Sequence, residues 1–211
     1  MKGMILIGQY DSPFVRRVGI AMTLYALPFE HRPWSTFGDA EKIGKYNPLI
    51  RVPTLVLDNG DVLIESQNIL DHLDTLVPHA QRLMPAEEHA RHQAVKVTAL
   101  ATGISDKAVS LFYEIRMHRE VSQVWVDRCR AQIKATIAVL EADRANRTGE
   151  YWFGRDIGHA DIAVAAMLRH LAEAHPGMID MNGHPALRDH AGRLEALPAF
   201  NLISQPFVPP A

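Results

Sequence analysis

Residues 47–66 read Asn47-Pro48-Leu49-Ile50-Arg51-Val52-Pro53-Thr54-Leu55-Val56-Leu57-Asp58-Asn59-Gly60-Asp61-Val62-Leu63-Ile64-Glu65-Ser66. Thr54 to Leu57 and Val62 to Ile64 are short apolar runs either side of Asp58-Asn59-Gly60-Asp61, a turn composition that joins two antiparallel strands. Pro53 has no N–H to give to a ladder, so it belongs at the first position of its strand. Glu65-Ser66 then opens a helix through Leu70, Leu73 and Leu76, with Ser66 as the cap.

Upstream, Met4 to Gln9 is a short apolar run that reads as a buried strand. Tyr10-Asp11 turns the chain. Ser12-Pro13 has the composition of a helix start: Ser caps free N–H groups, and Pro suits the first helical position. Phe14, Val18, Met22 and Tyr25 follow near helical spacing, and Phe29 to Arg32 reads as a second strand. The first 77 residues thus read β-α-β-α-β-β-α. Val77 to Pro85 carries two prolines and little periodicity. Beyond Ala86 the pattern is helical throughout, with stretches at 86–117, 121–146, 158–174 and 185–196. Gln205 to Ala211 is too rich in proline to continue a helix. The expected organisation is an α/β domain over 1–77, a linker over 78–85 and an all-α domain over 86–211.

Composition narrows the function classes. Of 211 residues, 47% are hydrophobic, enough for a substantial core. Lys and Arg number 22 against 24 Asp and Glu, a net charge of −2. That balance offers no global attraction to nucleic acid or to an anionic membrane surface. No apolar run is long enough to span a bilayer, and Met1 to Gln9 lacks the layout of a signal peptide. Cys129 is the single cysteine, so no internal disulfide forms, in keeping with a cytoplasmic location.

Three places carry possible chemistry. A serine opening a helix straight after the first strand puts a hydroxyl beside oriented N–H groups and the positive dipole end, where an anion is stabilised; read alone, Ser12 is equally an ordinary cap. If the Val52-Pro53 bond is cis, the N–H and C=O of Val52 turn outward and pair with an extended peptide as an added strand would; the ordinary alternative is a trans proline. Glu65-Ser66 at a helix start offers an acid for an ammonium and a hydroxyl with N–H groups for a carboxylate, the two charges of an α-amino acid head; read alone it is a capped helix with an exposed Glu.

Taken together and in this order, these segments resemble the glutathione transferase superfamily. The resemblance rests on Ser12-Pro13-Phe14-Val15-Arg16-Arg17-Val18, on Asn47-Pro48 through Val52-Pro53-Thr54-Leu55, and on Glu65-Ser66 before Ile69-Leu70. It rests also on Gly154-Arg155-Asp156 through Ala160-Asp161-Ile162-Ala163, and it covers nearly the whole chain. It looks closest to bacterial members with a catalytic serine. The fold it implies is a thioredoxin-like glutathione-binding domain followed by a helical domain. The activity it implies is conjugation of the glutathione thiolate to an electrophilic, apolar substrate; isomerase, dehalogenase and non-catalytic binding proteins share the scaffold. Glutathione is then the co-substrate, with no metal.

By the same resemblance, Ser12 donates a hydrogen bond to the glutathione sulfur. Val52, ahead of a cis Pro53, pairs with the cysteinyl backbone. Glu65 and Ser66 hold the γ-glutamyl head, Arg51 stands near the glycine carboxylate, and Phe14 lines the site near the sulfur. The second substrate is expected beside Phe14 and the Ala101 to Tyr113 face. A homodimer is implied, with Asp106 a candidate to reach the partner's glutathione.

Some positions depart from the family pattern. Gly158 stands where Ser or Thr usually caps the helix before Asp161, so half of a capping box is expected. Ile50 replaces the more usual Gly or Lys. Tyr10 lies near the family's alternative tyrosine region, but Ser12 fits the helix start better. His89 and His92 share a helix face without a third ligand at metal-like spacing. Cys129, between Arg128 and Arg130, reads as a structural thiol. Trp125, Trp152 and Phe153 read as packing residues of the helical domain, and Arg16-Arg17 as a solvated charged face.

Overall fold

The structure, a computed structural model, describes residues 3–209. The first two and last two residues of the expected terminal segments lie outside it. The described residues form two compact units: those up to Met84 together with those from Leu197 onward, and Pro85–Ala196.

In the first unit, β1 (Met4–Ile7), β2 (Phe29–Arg32), β3 (Thr54–Val56) and β4 (Val62–Ile64) make one sheet in the order β2-β1-β3-β4. β1 runs parallel to β2 and antiparallel to β3, which pairs antiparallel with β4. The parallel step needs a crossover, supplied by α1 (Pro13–Leu24); the antiparallel steps need only a longer loop carrying α2 (Ala40–Gly44) and the Asp58–Asp61 turn. After β4 comes α3 (Ser66–Thr75). The order is the β-α-β-α-β-β-α read from the sequence, a thioredoxin-like domain. On one side Leu6 of β1, Val15, Val18 and Met22 of α1, and Ile69, Leu70 and Leu73 of α3 are buried, while Ile7 of β1 packs with Ile43 and Val56 in a second cluster.

The second unit is all-helical: α4 (Glu88–Met117), α5 (Gln123–Ala145), α6 (His159–Ala174) and α7 (Pro185–Glu195). α4 packs on both α5 and α6. Ala101, Ile104, Leu111, Ile133, Ile137, Val164 and Met167 form the core, with Trp152 buried and Trp125 and Phe153 packed against it. The start of α6 is held by half of a capping box: the Gly158 N–H donates to Asp161 Oδ2 at 2.8 Å, and glycine has no side chain to return the bond. Asp161 Oδ1 also accepts from the Trp152 N–H at 2.7 Å. Cys129 is fully buried, and burial pushes its thiol pKa up. No helix of the described residues is long and apolar enough to cross a membrane.

Three features differ from the sequence reading. The chain after residue 196 packs with the first unit, through a short helix, α8 (Pro198–Leu202), and the segment beyond it. The linker is partly folded: His79–Gln81 is a 3₁₀ turn, Leu83 and Met84 are buried, and the Leu83 N–H donates to Tyr25 Oη at 2.7 Å. Arg16 and Arg17 are not a solvated face but 2% and 1% exposed. Arg16 Nε donates to the Ile203 carbonyl at 2.9 Å and its Nη2 to the Phe200 carbonyl at 3.0 Å. The returning C-terminal segment supplies both acceptors.

Candidate functional site

The site residues of the first unit are organised by the end of β1. Gly8 has φ +128°, a conformation that L side chains rarely adopt. A Cβ there would stand 2.5 Å from Val15 Cγ2 and 2.7 Å from Val52 Cβ. The absent side chain therefore lets the first turn of α1 and the loop before β3 close on the same backbone atom. Ser12 is the N-cap of α1, its Oγ accepting from the Val15 N–H at 3.4 Å. The hydroxyl is the acceptor in that bond, so its O–H remains available to donate. Phe14, on the first turn, is half-buried.

The loop before β3 is shaped by Asn47, which is 1% exposed. Its Nδ2 donates to the Arg51 carbonyl (3.0 Å) and to Thr54 Oγ1 (3.1 Å), and its Oδ1 accepts from the Leu49 N–H (3.0 Å). Thr54 Oγ1 donates in turn to the Arg51 carbonyl at 3.0 Å. One buried amide thus sets the path of residues 49–54, and Ile50 takes a left-handed φ of 52° within it. The sequence motif contains Asn47, but only the fold shows that it fixes the loop. The Val52-Pro53 bond is cis. The Val52 N–H donates to no other described residue, and its C=O accepts from none. An extended chain laid along this edge would find one donor and one acceptor there.

At the start of α3 the structure corrects the sequence reading. Glu65, not Ser66, occupies the cap position, with φ 66° and no capping bond from its side chain. Ser66 is the first helical residue and is buried, its Oγ accepting from Arg17 Nη1 at 3.4 Å rather than capping its own helix. A non-glycine residue held at positive φ costs on the order of 1–3 kcal/mol, and such strain collects at functional sites. Glu65 is exposed, and its Oε1 lies 2.9 Å from Arg51 Nη1.

Tyr10, the alternative hydroxyl, is engaged elsewhere. Its ring stacks on His31 at 3.8 Å between centroids and 7° between planes, and burial pushes its pKa up to about 12. His31 Nε2 is 2.8 Å from the Gly8 carbonyl; burial holds its pKa below the ordinary value, with that hydrogen bond opposing the shift. The C-terminal segment reaches the same strand-to-helix turn: Gln205 Oε1 accepts from the Tyr10 N–H at 3.3 Å, and Asp11 Oδ2 accepts from the Val208 N–H at 3.0 Å. Nothing in the composition of the tail signals these contacts.

The structure therefore brings Ser12, Val52 and Pro53 to one end of the sheet, and Arg51 to Glu65 beside Ser66. Asp106 lies on α4 of the helical unit and is exposed. That unit holds a cavity of about 530 Å³ between α6 and α7, lined by Leu168, Leu171, Ile179, Met181 and Ala191 among others. None of the residues singled out in the sequence lines it. Among the described residues, no group of three His, Cys, Asp or Glu could hold a metal ion.

Comparison with known proteins bears on this geometry. Residues 6–81 match the family model for the glutathione S-transferase N-terminal domain, and residues 123–193 match that for the C-terminal domain. An uncharacterized GST-like protein, YibF, of Escherichia coli is 30% identical over 65% of this chain and 68% of its own. A probable maleylacetoacetate isomerase of Vibrio cholerae is 28% identical over 95% of this chain and 94% of its own. Among solved structures, a glutathione S-transferase from Methylobacterium radiotolerans in complex with glutathione sulfonate superposes with a TM-score of 0.89. It is 28% identical and covers 99% of both chains. Another, from Methylobacillus flagellatus with glutathione bound, gives 0.88 at 25% identity over 97% of this chain and 100% of its own.

Proposed function

The chain belongs to the glutathione S-transferase family, and on that premise we propose that it uses glutathione as co-substrate and conjugates it, through its thiolate, to a small, apolar electrophile. The observation that carries this reading is the pairing forced by Gly8: the Ser12-capped start of α1 beside a Val52 whose backbone donor and acceptor are both unspent. In this reading Val52, ahead of Pro53, pairs with the cysteinyl backbone and sets the sulfur near Ser12. Glu65 and Ser66 take the ammonium and carboxylate of the γ-glutamyl head, and Phe14 flanks the sulfur. Arg51 is assigned to the glycine carboxylate, which requires it to leave Glu65 when the tripeptide enters.

Glutathione supplies a thiol whose ordinary pKa is about 8.5, so little of it is thiolate at neutral pH. The Ser12 hydroxyl and the N–H groups at the start of α1 favour the ionised sulfur. Lowering the pKa by one to two units takes roughly 1.4–2.7 kcal/mol, within reach of one charge-assisted hydrogen bond and a helix end. The same reading makes the protein a cytoplasmic homodimer, with Asp106 directed to the partner's glutathione. No step needs a metal.

The similarity to the Vibrio cholerae isomerase over nearly the full chain supports a second reading, isomerisation of maleylacetoacetate. Calorimetric titration with glutathione, followed by a panel of electrophiles and by maleylacetoacetate, tests both. Conjugation consumes glutathione, whereas isomerisation regenerates it. Binding without either reaction would contradict the catalytic reading.

A further inference from the structure

The turn that carries Ser12 is held partly from far along the chain. Within it, the Ser12 N–H donates to the Gln9 carbonyl at 3.2 Å. The Tyr10 N–H finds its acceptor in Gln205 Oε1, 3.3 Å away and 195 positions later. Asp11, the residue before Ser12, accepts through Oδ2 from the Val208 N–H at 3.0 Å. The same segment is fastened to the flank of α1. Phe200 and Ile203 are buried, and their carbonyls accept from Arg16, one turn after Ser12. Gly19 has no side chain to hold Ile203 off: a Cβ there would stand 2.8 Å from Ile203 Cγ2 and 3.1 Å from Tyr10 Cε1.

Residues 203–208 therefore form a strap that runs from the flank of α1 to the two residues directly before Ser12. Its prolines suit it to that role. Pro206 and Pro209 fix φ at two positions, so ordering the segment costs less backbone freedom. The Tyr10 ring, stacked on His31, and the His31 contact with the Gly8 carbonyl hold the turn independently of the strap. Rigidity matters at this place. A hydroxyl and a helix end stabilise a developing or bound anion most when they are aimed beforehand and need not reorient.

We infer that the 203–208 segment positions Ser12: Gln205 and Val208 hold Tyr10 and Asp11 so that the Ser12 hydroxyl and the first N–H groups of α1 stay aimed at a bound sulfur. Both are positioning residues, acting through the turn rather than on the ligand. The inference rests on the proposed glutathione reading, in which the sulfur sits beside Ser12.

The test changes the strap and reads the sulfur. Val208→Pro removes the N–H that Asp11 accepts, whereas Val208→Ala keeps it; the Val208 side chain itself is exposed. Gln205→Ala removes the acceptor of the Tyr10 N–H. Asp11 stays in place, so its charge is the same in every variant. Thiolate absorbance against pH is measured for glutathione bound to wild type, Val208→Ala, Val208→Pro, and Val208→Pro combined with Gln205→Ala. The apparent pKa should rise by about half a unit in Val208→Pro and by about one unit in the double variant, and remain at the wild-type value in Val208→Ala. Affinity for S-methylglutathione, whose sulfur cannot ionise, should change less than about twofold, and the melting temperature by only a few degrees. A bound-thiol pKa equal to that of wild type in both Val208→Pro and the double variant would overturn the inference. So would a loss of S-methylglutathione affinity as large as the loss for glutathione, since the segment would then support the site as a whole. If the double variant does not fold, Val208→Pro against Val208→Ala decides alone. A wild type whose bound thiol titrates like free glutathione removes the proposed role of Ser12 as well; a depressed wild-type pKa that the strap variants leave unmoved removes this inference alone.

Discussion

Arg51 Nη1 lies 2.9 Å from Glu65 Oε1, joining the residues on either side of the β3–β4 hairpin. The register of that hairpin, with Thr54 opposite Ile64, brings its two ends together, so the contact follows from strand pairing. Both side chains are exposed, and a pair of this kind contributes about 0–1 kcal/mol to stability. Arg51→Ala should therefore leave the urea midpoint almost unchanged. In the proposed function the same change removes a cation from the tripeptide site, so glutathione affinity should fall several-fold. Unaltered affinity by calorimetry would take Arg51 out of the site.

Gly8 is the tightest point of the domain. Gly8→Ala adds a Cβ at 2.5 Å from Val15 and 2.7 Å from Val52, in a backbone conformation unfavourable to alanine. The expected loss is on the order of 2–4 kcal/mol in denaturant unfolding. A loss below about 1 kcal/mol would show that α1 and the Val52 loop are not pinned there.

Asp161 is the corresponding point in the helical unit. It is 1% exposed and accepts from the N–H groups of Gly158 and Trp152, with His190 Nε2 3.1 Å from Oδ1. Asp161→Ala leaves two buried donors without acceptors, at a cost of about 2–5 kcal/mol. Thermal unfolding of Asp161→Ala alongside Asp161→Asn measures it. The asparagine keeps one acceptor oxygen and should lose less.

Much of this was legible in the chain because the signals are local. The Asp58–Asp61 turn, the Ser12-Pro13 helix start and the Gly158 to Asp161 half-box each rest on residues a few positions apart. What was hidden depends on distant partners. Two carbonyls that accept from Arg16 lie in the returning C-terminal segment, so a basic pair near the N-terminus looked solvated. The cap of α3 is Glu65 because its backbone, at φ 66°, is the non-helical one, and the side chain of Ser66 turns to Arg17, 49 positions earlier. In the site itself the motif positions were readable, whereas the Arg51–Glu65 contact and the buried amide of Asn47 needed the fold.

His31 and His175 both have pKa values held below the ordinary histidine value, chiefly by burial. In the unfolded chain they titrate near 6.5, so below that pH the unfolded state binds more protons than the folded one. Their contribution is fully present above about pH 6.5 and is lost as pH falls through that value towards the lower folded pKa. Stability should thus decline on acidification well before the carboxylates titrate. His31→Gln should flatten the melting-temperature profile between about pH 7 and 5, and an unchanged slope would assign the decline to other groups.

The central claim is that the start of α1 ionises a bound thiol. Its most direct test is the thiolate absorbance of glutathione bound to wild type and to Ser12→Ala, followed as a function of pH. In wild type the apparent pKa should fall one to two units below the free value of about 8.5. In Ser12→Ala it should return most of the way, with glutathione affinity little changed and stability lowered by only the 0.5–2 kcal/mol of a lost N-cap. A wild-type pKa equal to that of free glutathione, or one that Ser12→Ala does not move, would contradict the account.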